Sequence, residues 1–238
     1  MSDRKGWHWP TIAQNPVITV VSTGWVPKTK KRCIESVAQQ KGVSFEHLYI
    51  EASEQDAPAP PQLGNVHAAI ATLPKDRIVA LVDGDDWLAH DRVLALIASL
   101  YQVKFPTALV TYGSYMLSHN QVRGCAAPYV KTEYRSEPWR ASHLKTCRAG
   151  LFHRIDERDL KDDRGEYLQH AADHAIMFPL MEMAGPERVV YVEPILYVYH
   201  YDESFEARAS ADAKAEADAI VKLVRQRKPY ARLREEEW

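Results

Sequence analysis

The sequence predicts an α/β fold: a single, mostly parallel, twisted sheet flanked by helices. Short apolar runs rich in β-branched residues, VITVV at 17–21 and IVALV at 78–82, suit strands buried on both faces. Helix-length segments stand between such runs, so the order through residue 117 reads β-α-β-α-β-α-β. Right-handed crossovers then align the strands in parallel. A third observation places a ligand. The 78–82 run ends on Asp83, Asp85 and Asp86, and open α/β sheets bind at the carboxyl ends of their strands.

Taken in order, residues 1–15 read as an irregular arm, with Trp7 and Trp9 packing onto the domain, or onto a partner as the alternative. Ser22, Thr23 and Gly24 follow the first strand. Pro27 opens a helix reaching about Gln40, because proline is tolerated in a first turn, and Gly42 stops it. Residues 45–50 make a second strand that ends at Glu51. A proline-rich acidic loop (52–61) leads to a helix at 62–73, with Ile70 and Leu73 in the core. After the acidic strand, DRVLALIASL (91–100) reads as an amphipathic helix and TALVTYGSYML (107–117) as a strand. SHNQ (118–121) reads as a hairpin turn into a polar strand. Further on, 126–138 is irregular. Residues 139–152 read as a helix or turn-rich segment carrying His143, Lys145 and Arg148. The charge run 154–165 is a solvated loop, and 167–184 a helix bent at Pro179 and ended by Gly185-Pro186. RVVYVEPILYVYH (188–200) gives one or two short strands, and 206–227 an exposed terminal helix with a frayed end.

Composition narrows the class. The chain has 238 residues, 46% hydrophobic and 26% charged, with formal net charge −2, so no global basic field announces nucleic acid. Cys33, Cys125 and Cys147 are far apart and odd in number, which argues against a disulfide framework and for a reducing, cytoplasmic setting. The N-terminus MSDRKGWHWP does not read as a signal peptide. No apolar run approaches the roughly 20 residues of a membrane span, so membrane association would be peripheral. No GxGxxG follows the first strand and no GxxxxGK[ST] occurs, which removes the sequence basis for a Rossmann fingerprint or a P-loop.

Three crowded carboxylates repel one another unless a cation neutralises them. Hard oxygen ligands suit Mg²⁺ or Mn²⁺, with a nucleotide's phosphates completing the shell. A polar turn capping the next helix is the plainer alternative. A calcium loop counted from Asp83 would need Gly at its sixth position and Glu at its twelfth; Leu88 and Leu94 stand there. A phosphatase with an Asp-x-Asp nucleophile would open the domain with that motif and follow it with a small hydroxyl residue. Here the motif sits on the third strand and continues Asp86-Trp87.

The arrangement resembles the family 2 inverting glycosyltransferases, which have the GT-A fold. VITVVSTGWVPKTKKRCIESVAQQ resembles their opening strand and helix, and VALVDGDDWL their DxD motif. LQHAADHAIMFPLMEMAG resembles their second acidic helix, and VEPILYVYHYDES their closing strand and His-containing segment. The resemblance covers roughly 16–205. It implies a glycosyltransferase domain there, with a nucleotide-binding half (16–112) and an acceptor-binding half (113–205), between the arm at 1–15 and a C-terminal helix and tail at 206–238. By resemblance Asp83 and Asp85, with Asp86 as a third participant, hold Mn²⁺ or Mg²⁺ and touch the donor's ribose and diphosphate. Asp173 matches the general base that deprotonates the acceptor hydroxyl; Ala172 precedes it where the family often has Glu. His200 matches a position that completes the metal shell or touches phosphate, an aromatic rim with Tyr199 and Tyr201 being the alternative. Thr23 and Glu51 match the strand ends that hold base and ribose, with Glu51 where Asp is more usual. Asn65 and His67 lie near the diphosphate side. The implied activity is a soluble, metal-dependent, inverting transfer of sugar from a nucleotide-sugar donor, UDP-linked above all, to an acceptor hydroxyl. The absence of QxxRW argues against a processive polysaccharide synthase.

The acceptor is expected along 113–170. Arg123, Lys131, Arg135, Arg140, His143, Lys145, Arg148, His153 and Arg154 stand there among Tyr129, Tyr134 and Trp139. They make either a solvated surface or a basic groove with stacking platforms. Trp139, Arg140, His143 and Lys145 are the acceptor-binding candidates, for a glycan, a glycolipid or nucleic acid. Two alternatives stay open: a DNA-modifying glycosyltransferase acting on hydroxylated bases, and a non-catalytic sugar-nucleotide-binding module. The joint presence of Asp83, Asp85 and Asp173 argues against the second.

Overall fold

A computed structural model describes residues 17–24, 27–51, 62–124, 127–201 and 211–237. The arm at 1–15, the loop at 52–61 and Cys125 lie outside them, as does the side chain of Glu51. In chain order the elements are β1 (Ile18–Gly24), α1 (Pro27–Ala38), β2 (Phe45–Glu51), α2 (Gln62–Ala71), β3 (Ile78–Asp83), β4 (Trp87–Leu88), α3 (Val93–Ser99), β5 (Val110–Leu117), β6 (Ser142–Arg148), α4 (Ala149–Phe152), α5 (Ala172–Ala184), β7 (Val189–Tyr199) and α6 (Ala211–Gln226).

The seven strands form one sheet in the order β2-β1-β3-β6-β5-β7-β4. β1 pairs in parallel with β2 and β3, and β5 with β7. β6 runs antiparallel between β3 and β5, and β4 antiparallel to β7. The sheet is therefore mixed rather than mostly parallel, because β6 returns down its middle. Helices cover both faces, and this is why the strands read as unbroken apolar runs. Along β3, Ile78, Ala80 and Val82 join Cys33, Val37, Leu94 and Ile97 from α1 and α3. The alternate residues Val79 and Leu81 join Leu63, Ile70, Ile176 and Leu180 from α2 and α5.

Four expectations are corrected. Residues 142–148 are a strand, not part of a helix. Several of their polar side chains find partners inside the fold, as in the buried hydroxyl chain Tyr101–Thr146–Thr111 with oxygen separations of 2.9 and 2.6 Å. The helix expected from 167 starts at Ala172, after Ala171 takes φ 56°, and Tyr167 instead bridges to Lys161. The 154–165 charge run is anchored by buried Ile155 and Leu160. The C-terminal tail is not frayed: Leu233 N–H donates to Met183 O at 2.9 Å, and Tyr230 Oη donates to Asp159 at 2.5 Å. Among the described residues, no helix is long and apolar enough to cross a membrane.

Candidate active site

The site forms where β1 and β3 end side by side. Thr23 registers with Asp83, and Gly84 N–H donates to Thr23 O at 2.8 Å. A Cβ on Gly84 would meet that oxygen at 2.7 Å and Gly24 Cα at 2.8 Å, so the acidic turn can fold back onto β1 only with glycine at both positions. The turn then plunges inward. Asp86 is buried, and its carboxylate accepts from Tyr197 Oη and from His200 N–H, both at 2.7 Å. Asp83 N–H donates to the same Tyr197 hydroxyl at 3.0 Å. Asp86 thus ties the β3 turn to the end of β7.

β6 brings two polar side chains beneath this turn. The His143 ring stacks on Tyr197 with centroids 4.4 Å apart and 13° between planes. Its Nδ1 lies 3.9 Å from Asp83 Oδ2 and, though buried, has no hydrogen-bond partner among the described residues. Two residues on, Lys145 is 2% exposed at its side chain and its Nζ pairs with Asp173 Oδ1. Asp173 stands in the first turn of α5, where the helix dipole favours a negative charge, and its side chain stays 40% open to the cleft. Thr23, Asp83, Lys145 and Asp173 line one cleft, with Leu63 and Val66 of α2 and Ile176 of α5 as its apolar wall.

The charges are strongly coupled. Burial, then the negative charges of Asp83 and Asp85, push the Asp86 carboxyl up to about 8. Asp85 is raised too, by the surrounding protein first and Asp83 second, although its surface is exposed at the turn tip. Burial, reinforced by repulsion from Lys145, lowers His143 to about 4 and leaves a neutral imidazole at pH 7. Burial pulls Lys145 down, but the negative charges of Asp173, Asp83 and Asp86 outweigh it and raise it. Burial would likewise raise Asp173, yet the Lys145 charge and then His143 hold it below the usual carboxylate range.

The structure thus brings together Thr23, Asp83, Asp86, Asp173 and, from the expected acceptor side, His143 and Lys145. Asp83, Asp86 and His143 each offer a ligand atom, all within 4.8 Å of one another. This group fits a divalent cation: two carboxylates whose mutual repulsion needs an offset, and a neutral imidazole nitrogen buried beside them without a partner. Among the described residues, neither Asp85 nor His200 belongs to it; the His200 ring lies against Trp87, centroids 5.9 Å apart. Glu51 pairs with Gly24 along the β2 edge. Asn65 lies on α2 without lining the cleft, and His67 Nδ1 sits 3.1 Å from Tyr167 Oη.

Several of the basic residues expected along 113–170 are engaged by other groups of the fold. Arg135 forms a bidentate pair with Glu182 at 2.6 and 2.9 Å, and Arg148 donates to Asp76 O at 2.7 Å. Arg123 donates to Tyr191 Oη and Glu193 O, and Arg154 to Glu237 O. Arg140 donates its backbone N–H to Tyr129 Oη, while Trp139 stacks on His174 at 3.9 Å beside Asp173. Sequence reasoning missed His143 as a ligand candidate, and Tyr197 altogether. The signal was the alternation His143, Lys145, Cys147, which is strand-like and aims the first two toward the acids.

A curled seven-stranded mixed sheet with helices on both faces, and carboxylates at the ends of its inner strands, is the GT-A fold. Comparison with protein-family models finds no match, and neither does comparison with curated protein sequences. Solved structures do match. The chain is similar to S. aureus TarS 1-349 in complex with UDP-GlcNAc, with 15% identity, a TM-score of 0.55 and coverage of 87% of this chain and 66% of that one. A second TarS structure matches with 14% identity, a TM-score of 0.56 and coverage of 87% and 39%. TarS 1-349 by itself matches with 14% identity, a TM-score of 0.53 and coverage of 87% and 64%. This chain spans between 39% and 66% of the length of those proteins. At such identity the likeness speaks for the fold.

Proposed function

We propose that this chain is a glycosyltransferase that moves a sugar from a nucleotide-diphosphate donor to an acceptor hydroxyl, with Asp173 as general base. The observation that carries the reading is the cleft itself. An ionised carboxylate at the start of α5 faces an acidic turn at the end of β3, and one buried ammonium is set between them. Two acid groups with different tasks are what a displacement at an anomeric carbon requires. Asp173, held deprotonated by Lys145 and open to the cleft, takes the proton of the attacking hydroxyl. The depressed basicity costs driving force but secures the ionised form at neutral pH. Attack from the Asp173 side, opposite the departing diphosphate, inverts the sugar's configuration.

Asp83, Asp86 and His143 would hold Mn²⁺ or Mg²⁺, which offsets charge developing on the leaving diphosphate. Thr23, at the end of β1, faces the same cleft and is placed to position the donor. The UDP-GlcNAc bound to the S. aureus neighbour makes UDP the first nucleotide to try. With Arg123, Arg135, Arg148 and Arg154 engaged by other groups of the fold, a glycan or glycolipid is the first acceptor panel to try, and a nucleic-acid acceptor stays the alternative.

The test is calorimetric titration of nucleoside diphosphates with Mn²⁺ and then with EDTA, followed by transfer assays on Asp173→Asn. Metal-dependent binding of one nucleotide is expected. Asp173→Asn should keep that binding and lose transfer by about 10²–10⁴-fold. Folded protein that binds no nucleotide would sink the reading in favour of a non-catalytic scaffold, and full transfer by Asp173→Asn would sink the base assignment.

A further inference from the structure

Tyr197 is 0% exposed, between the apolar Leu196 and Val198 of β7. A hydroxyl in such a place costs free energy unless it is hydrogen-bonded. β7 is paired on both sides at this residue, with Leu88 of β4 and with Tyr115 of β5, so two ladders fix the backbone that carries the ring. The hydroxyl serves two groups of the acidic turn. It accepts from Asp83 N–H at 3.0 Å and donates to Asp86 Oδ2 at 2.7 Å. Asp83 Oδ2 is farther off, at 3.4 Å. A hydroxyl has one proton, and the shorter contact takes it. The Asp83 carboxylate therefore keeps its lone pairs free on the side of His143.

The ring of the same residue serves the third ligand candidate. His143 lies flat on it, centroids 4.4 Å apart, and Tyr115 closes on His143 edge-on at 5.6 Å and 74°. Backbone pairing does not do this. The ladder between β3 and β6 runs from Ile78–Arg148 to Leu81–Lys145. Asp83 and His143 lie past its end, so the register of the two strands alone leaves their side chains free to turn. One side chain from a third strand thus touches the turn that carries Asp83 and Asp86 and the imidazole that faces it.

We infer that Tyr197 is the positioning residue of the metal site: its hydroxyl sets the two carboxylates through Asp83 N–H and Asp86 Oδ2, and its ring face sets the His143 imidazole. Side chains held in place before a cation arrives lose little freedom when it binds, and groups that orient ligands carry a large share of the affinity. The inference rests on the assignment of Asp83, Asp86 and His143 to the metal made above, and not on sugar transfer. It gives the two parts of one side chain different tasks, which mutation separates. Tyr197→Phe keeps the ring against His143 and removes only the hydroxyl.

The test is Mn²⁺ titration of the full chain without nucleotide, read from the resonance of the free ion. Tyr197→Phe is expected to weaken binding at least about tenfold. Tyr101→Phe is the control. It removes a similarly buried hydroxyl, 2.9 Å from Thr146 Oγ1, and Thr146 registers with Ala80, about 10 Å of strand before Asp83. It should leave Mn²⁺ affinity within about twofold of wild type, whatever it does to the thermal midpoint. Because the hydroxyl acts through Asp86, Tyr197→Phe combined with Asp86→Asn should lose less than the product of the two single losses. In wild type the Tyr197 hydroxyl proton should resonate apart from water and shift on saturation with Mg²⁺, a measurement that needs no variant. Mn²⁺ binding that Tyr197→Phe retains in full, or that Tyr101→Phe weakens equally, would overturn the inference and leave the metal site standing. So would a double variant that loses the whole product, or a hydroxyl proton that Mg²⁺ leaves unmoved. No Mn²⁺ binding by wild type would overturn the metal assignment and the inference together.

Discussion

Lys145 and Asp173 depend on each other unequally. The ammonium is enclosed at 2% exposure, whereas the carboxylate is 40% open, so losing the acid strands a buried charge while losing the lysine leaves a partly solvated one. Asp173→Asn is therefore expected to destabilise the fold by about 1–3 kcal/mol, below the 3–5 of a fully enclosed pair because water reaches Asp173. Lys145→Met should cost less, and the double variant should recover much of the loss, which a urea-unfolding double-mutant cycle reads directly. Additive effects would mean the pair is not coupled. The metal ligands divide in the same way. Mn²⁺ affinity, read from the resonance of the free ion, should fall at least about tenfold in His143→Ala and in Asp86→Asn. It should change little in His200→Ala, whose contribution to Asp86 is a backbone N–H. A loss confined to His200→Ala would return the site to the residue that the sequence pattern favoured.

At the level of elements, the site depends on two strand ends approaching more closely than side chains allow. Gly84→Ala would put a methyl 2.7 Å from the Thr23 carbonyl, where only backbone movement relieves the clash. A loss of about 1–3 kcal/mol is expected, with weaker nucleotide binding because Thr23 and Asp83 separate. Unchanged thermal midpoint and binding would contradict this reading of the turn. These same elements were the legible ones. β1, β3 and α3 carry long apolar runs, and the acids at the end of β3 advertise themselves by crowding. β6 was illegible because hydrophobic pattern cannot mark it. His143, Lys145 and Thr146 are buried as polar groups, each made tolerable by a partner or neighbour distant in sequence: Tyr197, Asp173, and Thr111 with Tyr101. That strand supplies two of the site's central groups. Asp83 and Asp173 could thus be picked out with their chemistry, while His143 and Lys145, which link them, were legible only as acceptor-side candidates. The start of α5 was misplaced for a related reason, since apolar content upstream of Ala171 says nothing of its left-handed backbone.

Across the whole molecule, acid sensitivity follows from histidines the fold keeps neutral. His47 on β2 has Nε2 3.0 Å from Ser22 Oγ, and burial lowers it to about 4. His174, stacked on Trp139, is also lowered to about 4, chiefly by burial, with Asp173 opposing the shift. In the unfolded chain both titrate near the ordinary 6.5. Between those values the unfolded state binds more protons than the folded one, so stability rises with pH there. The contribution of each is fully present above 6.5 and is lost as pH falls toward 4. These two histidines therefore pull the thermal midpoint of metal-free protein down as pH falls across that window, against the raised Asp86 carboxyl, which pulls the other way. The double variant His47→Gln, His174→Gln should remove the histidines' pull, since glutamine carries no titrating group into either state. The carboxylates titrate in wild type and variant alike, so the difference between the two curves isolates the histidines. Parallel curves would show that neither imidazole is kept from its proton by the fold.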